Sequence, residues 1–502
     1  MAELMSLLQG FETALTLQNL LYCLIGVSVG MFVGVLPGLG PVAGTAILIP
    51  MTYGMEPVSA IIMLSGIFYG GMYGGTITSV LINTPGETAS VITCIDGHQM
   101  AKKGRAGVAL GVAAIGSFIG GVVAIIALAL VGPKLAKYAL QFGPPEYFSL
   151  MFFGLLLLVA LMGKSLIKGL IAAILGLLLS LVGMDPGSGA PRFTFGQMEL
   201  FDGLEFVVVA MGLFGISEIL LNAESKMKLD KPEKIKGLFP SREEWAPTMK
   251  SIGRGTGIGM LIGLIPGASA SISAIMSYSL EKKLAKDPSR FGKGAIEGVA
   301  GPETANNAFS GAALIPLFTL GIPSSPTVAV ILGAFIMHGL TPGPTLFQNN
   351  PDFAWGVIAS MFIGNAILLF MNLPMAGLWA KVALIPYKLL FPLILIISLV
   401  GVYSVNRSIW DIGIMILFGI VGYFMKKLEL PTAALILSFI LGQRVEFSLI
   451  QTLASSDNGL LILFQRPISG VLMSICGIIL ILSIIGGIKK KKRTVITGDF
   501  EL

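Results

Sequence analysis

The amino-acid sequence predicts an all-α fold: a polytopic transmembrane helical bundle with inverted repeats, broken helices and re-entrant hairpins. Three observations carry that reading. Of 502 residues, 54% are apolar and 12% charged, with a mean hydropathy of +0.87, whereas a soluble domain carries about a quarter charged residues. Several stretches are apolar and almost free of charge over about the 20 residues that a helix needs to cross hydrocarbon. A glycine-proline motif also recurs, in matching order, in two parts of the chain. The implied division is 1–221 as a first repeat half, 222–254 as a cytoplasmic linker, 255–442 as a second half, and 443–502 as a C-terminal transmembrane segment with a basic tail.

Taken in order, Met1 to Asn19 contains Glu3 and Glu12 but no Lys or Arg. It lacks the basic start of a cleaved signal peptide, so insertion is expected to rely on the first span. Apolar stretches nearly free of charge follow from Gly107 to Val131, Leu204 to Leu221, Phe353 to Leu373, Leu389 to Val402 and Ile468 to Ile488, several of them long enough to span. In all, roughly ten to twelve helical elements are expected, some too short to cross. The short alternating segments of a β-barrel are not seen. Cys23, Cys94 and Cys476 have no CxxC spacing, which points to packing residues rather than to disulfides or a zinc site.

The net charge of +6 is unevenly placed. No Lys or Arg occurs from Met1 to Ala101 or from Gly294 to Ala380. Basic residues gather at Lys102, Lys103 and Arg105, between Lys226 and Arg254, from Lys282 to Lys293, and in the tail Lys489 to Arg493. Short Lys/Arg-rich loops stay cytoplasmic, so these runs read as topology-setting faces rather than as a nucleic-acid interface. The polar stretch Asn222 to Arg254 reads as a linker between the halves.

Laying Gly30–Gly38 (GMFVGVLPG) over Gly259–Gly267 (GMLIGLIPG) makes Gly, Met, Gly, Pro and Gly coincide. A second break follows in each half, NTPGE at Asn83–Glu87 and GIPSS at Gly321–Ser325. The Pro266 break lies between basic segments ending at Arg254 and starting at Lys282, too close for two full crossings. A re-entrant hairpin with both ends cytoplasmic fits it. The Pro37 break lies between Glu12 and Glu56, so the equivalent hairpin would open outward. Inverted halves with broken helices are the pattern of secondary transporters whose site sits between the breaks; ordinary proline kinks are the plainer alternative.

No Lys or Arg lies in the breaks. The positive ends of the helices that follow can attract a carboxylate instead, helped by Asn83, Thr84, Thr88, Ser90, Ser324, Ser325 and Thr327 alongside Pro85, Gly86 and Pro323, unless those hydroxyls only cap their own helices. Glu87, Asp96, Glu297 and Glu303 are acids in or beside apolar segments, where a carboxylate costs about 2.5–3.5 kcal/mol at mid-bilayer. Glu87 and Glu303 are candidates for ion coupling, with oxygen ligands expected near Gly38, Gly40, Gly267, Ser269, Asn306 and Asn307. Asp96 reads as a surface acid facing Lys102. His98 and His338 are isolated, and HExxH, Walker A and GxSxG motifs are absent, so neither a metal site nor an enzyme is indicated. A channel or scaffold subunit, or an intramembrane enzyme using the buried acids, shares the composition.

Five segments, GVLPGLGP (Gly34–Pro41), YGGMYGGTITSVLINTPGE (Tyr69–Glu87), DGHQMAKKGRAG (Asp96–Gly107), FGKGAIEGVAGPETANNA (Phe291–Ala308) and LIPLFTLGIPSSPT (Leu314–Thr327), resemble the large membrane subunit of the tripartite tricarboxylate transporters. The resemblance runs over nearly the whole chain. It implies a bacterial inner-membrane subunit that works in the lipid bilayer with a small membrane subunit and a periplasmic binding protein, taking up citrate or another carboxylate driven by Na⁺ or H⁺, with no other cofactor. In the family pattern the second break reads closer to GIPGSAT. Ser324 and Pro326 here add a hydroxyl and stiffen the helix start.

Overall fold

The structure, a computed structural model, describes residues 2–162, 165–224, 235 and 237–481. Most of the linker's basic run, the expected span beyond Ile481 and the tail Lys489–Arg493 lie outside the described residues. Helices dominate. The first half runs α1 (Ala2–Ala14), α2 (Leu17–Val35), α3 (Gly40–Leu48), α4 (Pro57–Ile82), α5 (Val91–Lys102), α6 (Ala106–Ala139), α7 (Pro144–Met162) and α8 (Leu166–Ser180). A two-residue antiparallel pair follows, β1 (Gly183–Met184) with β2 (Pro191–Arg192). The expected span at Leu204–Leu221 is α9 (Phe206–Ala210) and α10 (Ser217–Glu224), joined through a π-helical turn at Met211–Ile216.

The second half runs α11 (Trp245–Gly263), α12 (Ala270–Leu284), α13 (Glu297–Ala312), α14 (Leu314–Leu320), α15 (Pro326–Met337), α16 (Leu346–Asn349), α17 (Pro351–Asn372), α18 (Ala376–Val382), α19 (Tyr387–Asn406) and α20 (Ile409–Lys427). Then come α21 (Thr432–Ala454), which crosses into the C-terminal segment, α22 (Ile462–Gln465) and the helix Pro467–Ile481. Among the described residues nine helices are long and apolar enough to cross a membrane. The chain is an all-α polytopic bundle.

By packing, the chain forms two units, Met1–Leu140 with Glu205–Met425, and Gln141–Leu204 with Lys426–Leu502. In the second unit Arg466 Nε meets Glu146 Oε1 at 2.5 Å and Arg192 forks onto Glu446 at 2.5 and 3.1 Å. All four breaks belong to the first unit.

The matched motifs do the same structural work in both halves. On α2, a Cβ at Gly26, Gly30 or Gly34 would lie 2.3, 2.5 and 2.3 Å from the carbonyl oxygens of Met63, Ile67 and Gly71 on α4. On α11, a Cβ at Gly255, Gly259 or Gly263 would lie 2.4, 2.4 and 2.8 Å from those of Gly301, Ala305 and Phe309 on α13. Each GxxxGxxxG face therefore admits a facing backbone at every turn, the close approach small residues permit within membranes. Each half's first break holds a left-handed glycine at the same repeat position, Gly38 (φ 91°) and Gly267 (φ 80°). Each second break opens with a left-handed cap, Asn83 (φ 51°) and Gly321 (φ 70°).

Charge separates the surfaces as well. Lys103 Nζ donates to the carbonyl of Lys293 at 2.5 Å and Arg105 meets Glu244 at 2.6 Å, so three of the basic segments lie side by side. Thr52 and His338, in the segments lacking Lys and Arg, approach at 3.1 Å. Beside them, a groove of about 380 Å³ is lined by Thr13, Glu56, Leu340, Asn349 and Asp352. The helices α5 and α12, which start at breaks, finish at the basic segments; α3 and α15, which start at the other two breaks, lead to the Thr52–His338 contact.

Two expectations about charged side chains need correction. Asp96 is fully buried rather than a surface acid facing Lys102. It accepts from the backbone N–H groups of Gly292, Gly294 and Ala295 at 3.1, 2.6 and 2.8 Å and from the Tyr278 hydroxyl at 2.9 Å. Arg254 is not simply a solvated, topology-setting charge: its guanidinium forks onto buried Glu281 at 2.7 and 2.5 Å. His98 is buried, its Nδ1 lying 3.0 Å from the carbonyl of Val80.

Candidate functional site

Three contacts link all four breaks. Gly86 packs on the carbonyl of Gly34, where a Cβ would come within 1.9 Å, so the second break of the first half sits on the end of α2. The Ser271 hydroxyl donates to that of Thr88 at 3.0 Å, joining this break to the start of α12. Gly267 N–H donates to the carbonyl of Ser324 at 2.9 Å, joining the two breaks of the second half. The sequence reading named Gly38, Gly40, Gly86, Thr88, Gly267 and Ser324 but missed Ser271. Its signal was present, since GASAS after Pro266 repeats the hydroxyl pattern of GETAS after Pro85.

Two buried carboxylates lie beneath this junction. Glu87 Oε1 accepts from Asn306 Nδ2 at 3.0 Å, and its Oε2 from the N–H of Ala89 at 2.7 Å. Glu303 Oε2 accepts from the Thr76 hydroxyl at 2.6 Å and its Oε1 from the Thr93 hydroxyl. Asn307 Nδ2 donates to Ser117 Oγ at 2.7 Å and to the carbonyl of Glu303 at 3.2 Å. Among the described residues no Lys, Arg or His pairs with either acid. The Asn306 Oδ1 atom is buried without a partner. Such an arrangement suits a bound cation or a proton, because two uncompensated carboxylates in apolar packing are costly. Thr76, Thr93 and Ser117 were not foreseen, for they lie on helices rather than in the breaks. No group of three or more His, Cys, Asp or Glu among the described residues is placed to hold a metal ion.

The helix-start hydroxyls divide in their use. Ser325 is the N-cap of α15 and accepts from the N–H of Val328 at 3.3 Å, with Pro326 at the first helical position. Ser269 likewise accepts from the N–H of Ile272 at the start of α12. Ser324 donates to the carbonyl of Ala313 at 2.9 Å, and Ser90 to that of Glu87 at 2.9 Å. Thr84 donates to the carbonyl of Ile82 at 3.1 Å. Gly321–Ser325 and Thr327 are buried, whereas Asn83 and Thr88 are exposed and Thr84, Pro85, Ser269 and Ser271 half-buried. At Ala89, Val328 and Ile272 the helix-start N–H groups are thus taken by the protein's own oxygens. The accessible polar groups are those of the first half's second break and of the α12 start. Because Thr88 accepts from Ser271, its own proton is available to a ligand oxygen.

A model of the tripartite tricarboxylate transporter TctA family matches residues 20–437. The chain is 45% identical over 491 residues to an uncharacterized 52.8 kDa protein in the TAR-I ttuC' 3' region of Agrobacterium vitis, covering 98% of each chain. It is 43% identical over 241 residues to an uncharacterized protein in the TAR-II ttuC' 3' region of the same organism, covering 48% of this chain and all of that one. No solved structure matches.

Proposed function

The chain belongs to the tripartite tricarboxylate transporter TctA family, and from that premise we propose that it is the translocating subunit of a binding-protein-dependent secondary transporter for organic carboxylates in a bacterial inner membrane. The observation that carries the reading is the joining of four broken-helix segments above two buried acids that have no basic partner among the described residues. The Thr88 hydroxyl, oriented by the hydrogen bond it accepts from Ser271, is offered to the substrate carboxylate, with Asn83 and Thr84 beside it. Glu87, Glu303, Asn306 and Asn307 form the coupling site. A substrate bearing two or three negative charges needs positive charge that helix ends alone do not supply. A cation must then travel with it, and the Asn, Thr and carbonyl oxygens favour Na⁺ over a relay of titratable groups. The pairing of α5 with α12 toward the basic segments, and of α3 with α15 toward the segments lacking Lys and Arg, supports an inverted repeat moving as a transport domain.

The partners on this reading are a small membrane subunit and a periplasmic binding protein. Uptake in proteoliposomes holding both membrane subunits and the loaded binding protein tests it, under an imposed Na⁺ gradient and separately under a pH gradient. Na⁺-driven uptake is expected, with KM raised roughly tenfold or more by Thr88→Val, which removes a hydrogen bond to a charged group. Uptake that follows the pH gradient and ignores Na⁺ would make Glu87 or Glu303 a proton carrier; passive flux without coupling would make the chain a channel.

A further inference from the structure

A small cavity lies where α4 and α6 of the first half meet α13 and α17 of the second. Its volume is about 20 Å³, and its lining includes Tyr69, Tyr73, Gly121, Asn307, Ser310 and Asn365. That is room for one water-sized occupant, which needs roughly 10–15 Å³. The hydrogens around it are largely committed. Tyr73 donates to Asn365 Oδ1 at 2.6 Å, and Asn365 Nδ2 to the carbonyl of Phe118 at 2.9 Å. Asn307 Nδ2 serves Ser117 and the carbonyl of Glu303, and Ser310 donates to the carbonyl of Asn306 at 3.1 Å. What these four side chains retain is mostly lone pairs, with one N–H of Asn365 as the remaining donor. The fifth, Tyr69, is 8% exposed, and among the described residues its hydroxyl makes no well-formed hydrogen bond, with the Ser65 hydroxyl facing it.

Side chains that keep more free oxygen lone pairs than free donors disfavour an anion and suit a small hard cation. Glu303, Asn307 and Ser310 follow one another on a single face of α13, so the pocket lies along the helix from the buried acids. We propose that this cavity is a second alkali-cation site, taking one dehydrated Na⁺ on oxygens of Tyr69, Tyr73, Asn307, Ser310 and Asn365. The inference rests on the Na⁺-coupled reading above and adds a second ion to it: one cation at Glu87 and Glu303 and one here would offset two charges of a polycarboxylate.

Tyr69→Phe tests the site, because it removes one oxygen and leaves the volume unchanged. If the cavity holds only water or nothing, losing a hydroxyl that makes no well-formed hydrogen bond should leave Na⁺ binding intact and stability equal or higher. Equilibrium binding of radiolabelled Na⁺ to the purified full chain should show two ions per wild-type chain and one in Tyr69→Phe and in Ser310→Ala, with a smaller Na⁺-dependent rise in Tm in both variants. Glu303→Gln should lose the other ion and keep the one that depends on Tyr69. Two ions in both cavity variants would overturn the proposal, as would a wild-type chain that binds one ion lost only in Glu303→Gln; in that last case the Na⁺-coupled reading stands without the second site. A wild-type chain that binds no Na⁺, with uptake following the pH gradient, would overturn both.

Discussion

Glu87 on the first half's second break accepts a hydrogen bond from Asn306 on α13 across 3.0 Å, and this single bond joins residues 219 positions apart at the centre of the candidate site. Hydrogen bonds to charged groups contribute about 1.5–3 kcal/mol. Asn306→Leu should lower stability by about that amount, while Glu87→Ala combined with Asn306→Leu should cost less than the two single changes added together. Thermal unfolding of the four proteins of the cycle measures the coupling. Additive effects would show that the bond contributes nothing to the folded state.

Asp96 gives a sharper expectation. Replacing it by Ala leaves the N–H groups of Gly292, Gly294 and Ala295 and the Tyr278 hydroxyl without their acceptor, at about 1–3 kcal/mol for the buried N–H of Ala295 and less for the more accessible groups. The variant should be recovered in low yield or with a Tm well below wild type. Lys102→Ala should change little, because the Asp96 carboxylate does not meet that side chain. A large effect of Lys102→Ala beside a mild one of Asp96→Ala would restore the reading of Asp96 as a surface acid.

Two glycines on α11 provide an internal control. A methyl at Gly259 would meet the carbonyl of Ala305 at 2.4 Å, whereas one at Gly253 meets nothing within 4 Å. Gly259→Ala should therefore part α11 from α13 and destabilise the protein, while Gly253→Ala should be neutral or stabilise the helix by up to about 1 kcal/mol. Size-exclusion profiles and Tm in detergent separate the two. Equal behaviour would mean that the helix faces are not held in this contact.

Membrane orientation can be checked directly. Asn349 and Lys286 are both exposed, the first in a segment without Lys or Arg and the second in a basic one. An impermeant maleimide added to intact cells should label Asn349→Cys, and should reach Lys286→Cys only after permeabilisation. Native Cys94, half-buried, sets the background. The reverse pattern would invert the topology.

Much of the architecture could be read in the linear chain because helical membrane proteins write their constraints locally. GMFVGVLPG and GMLIGLIPG exposed the repeat, and their glycines proved to be the contact faces of α2 and α11. Glu87 and Glu303 stood out because an acid in an apolar run is costly wherever it points. What could not be read was the partner of each polar group. Asp96 binds backbone amides 196 to 199 residues away, and amides carry no side-chain signature. Thr76 and Thr93 look like ordinary helix residues until α13 brings Glu303 between them. Ser325 illustrates the converse case: a hydroxyl at a helix start can serve as a ligand donor or as a cap, and here its oxygen accepts from the N–H of Val328 in the geometry of a cap. The π-helical turn at Met211–Ile216 left no mark on hydropathy.

The carbonyl-into-glycine packing of α2 on α4 and of α11 on α13 also bears on mechanics. A notch that recurs every four residues behaves like a toothed rack: one helix can slip along its partner only by jumping a whole turn, about 5.4 Å, and intermediate positions drive backbone into backbone. Each pair is therefore a stiff lever rather than a sliding joint. On the transport reading proposed above, a working stroke would be taken up at the four glycine- and proline-bearing breaks, with the two helix pairs moving as solid pieces.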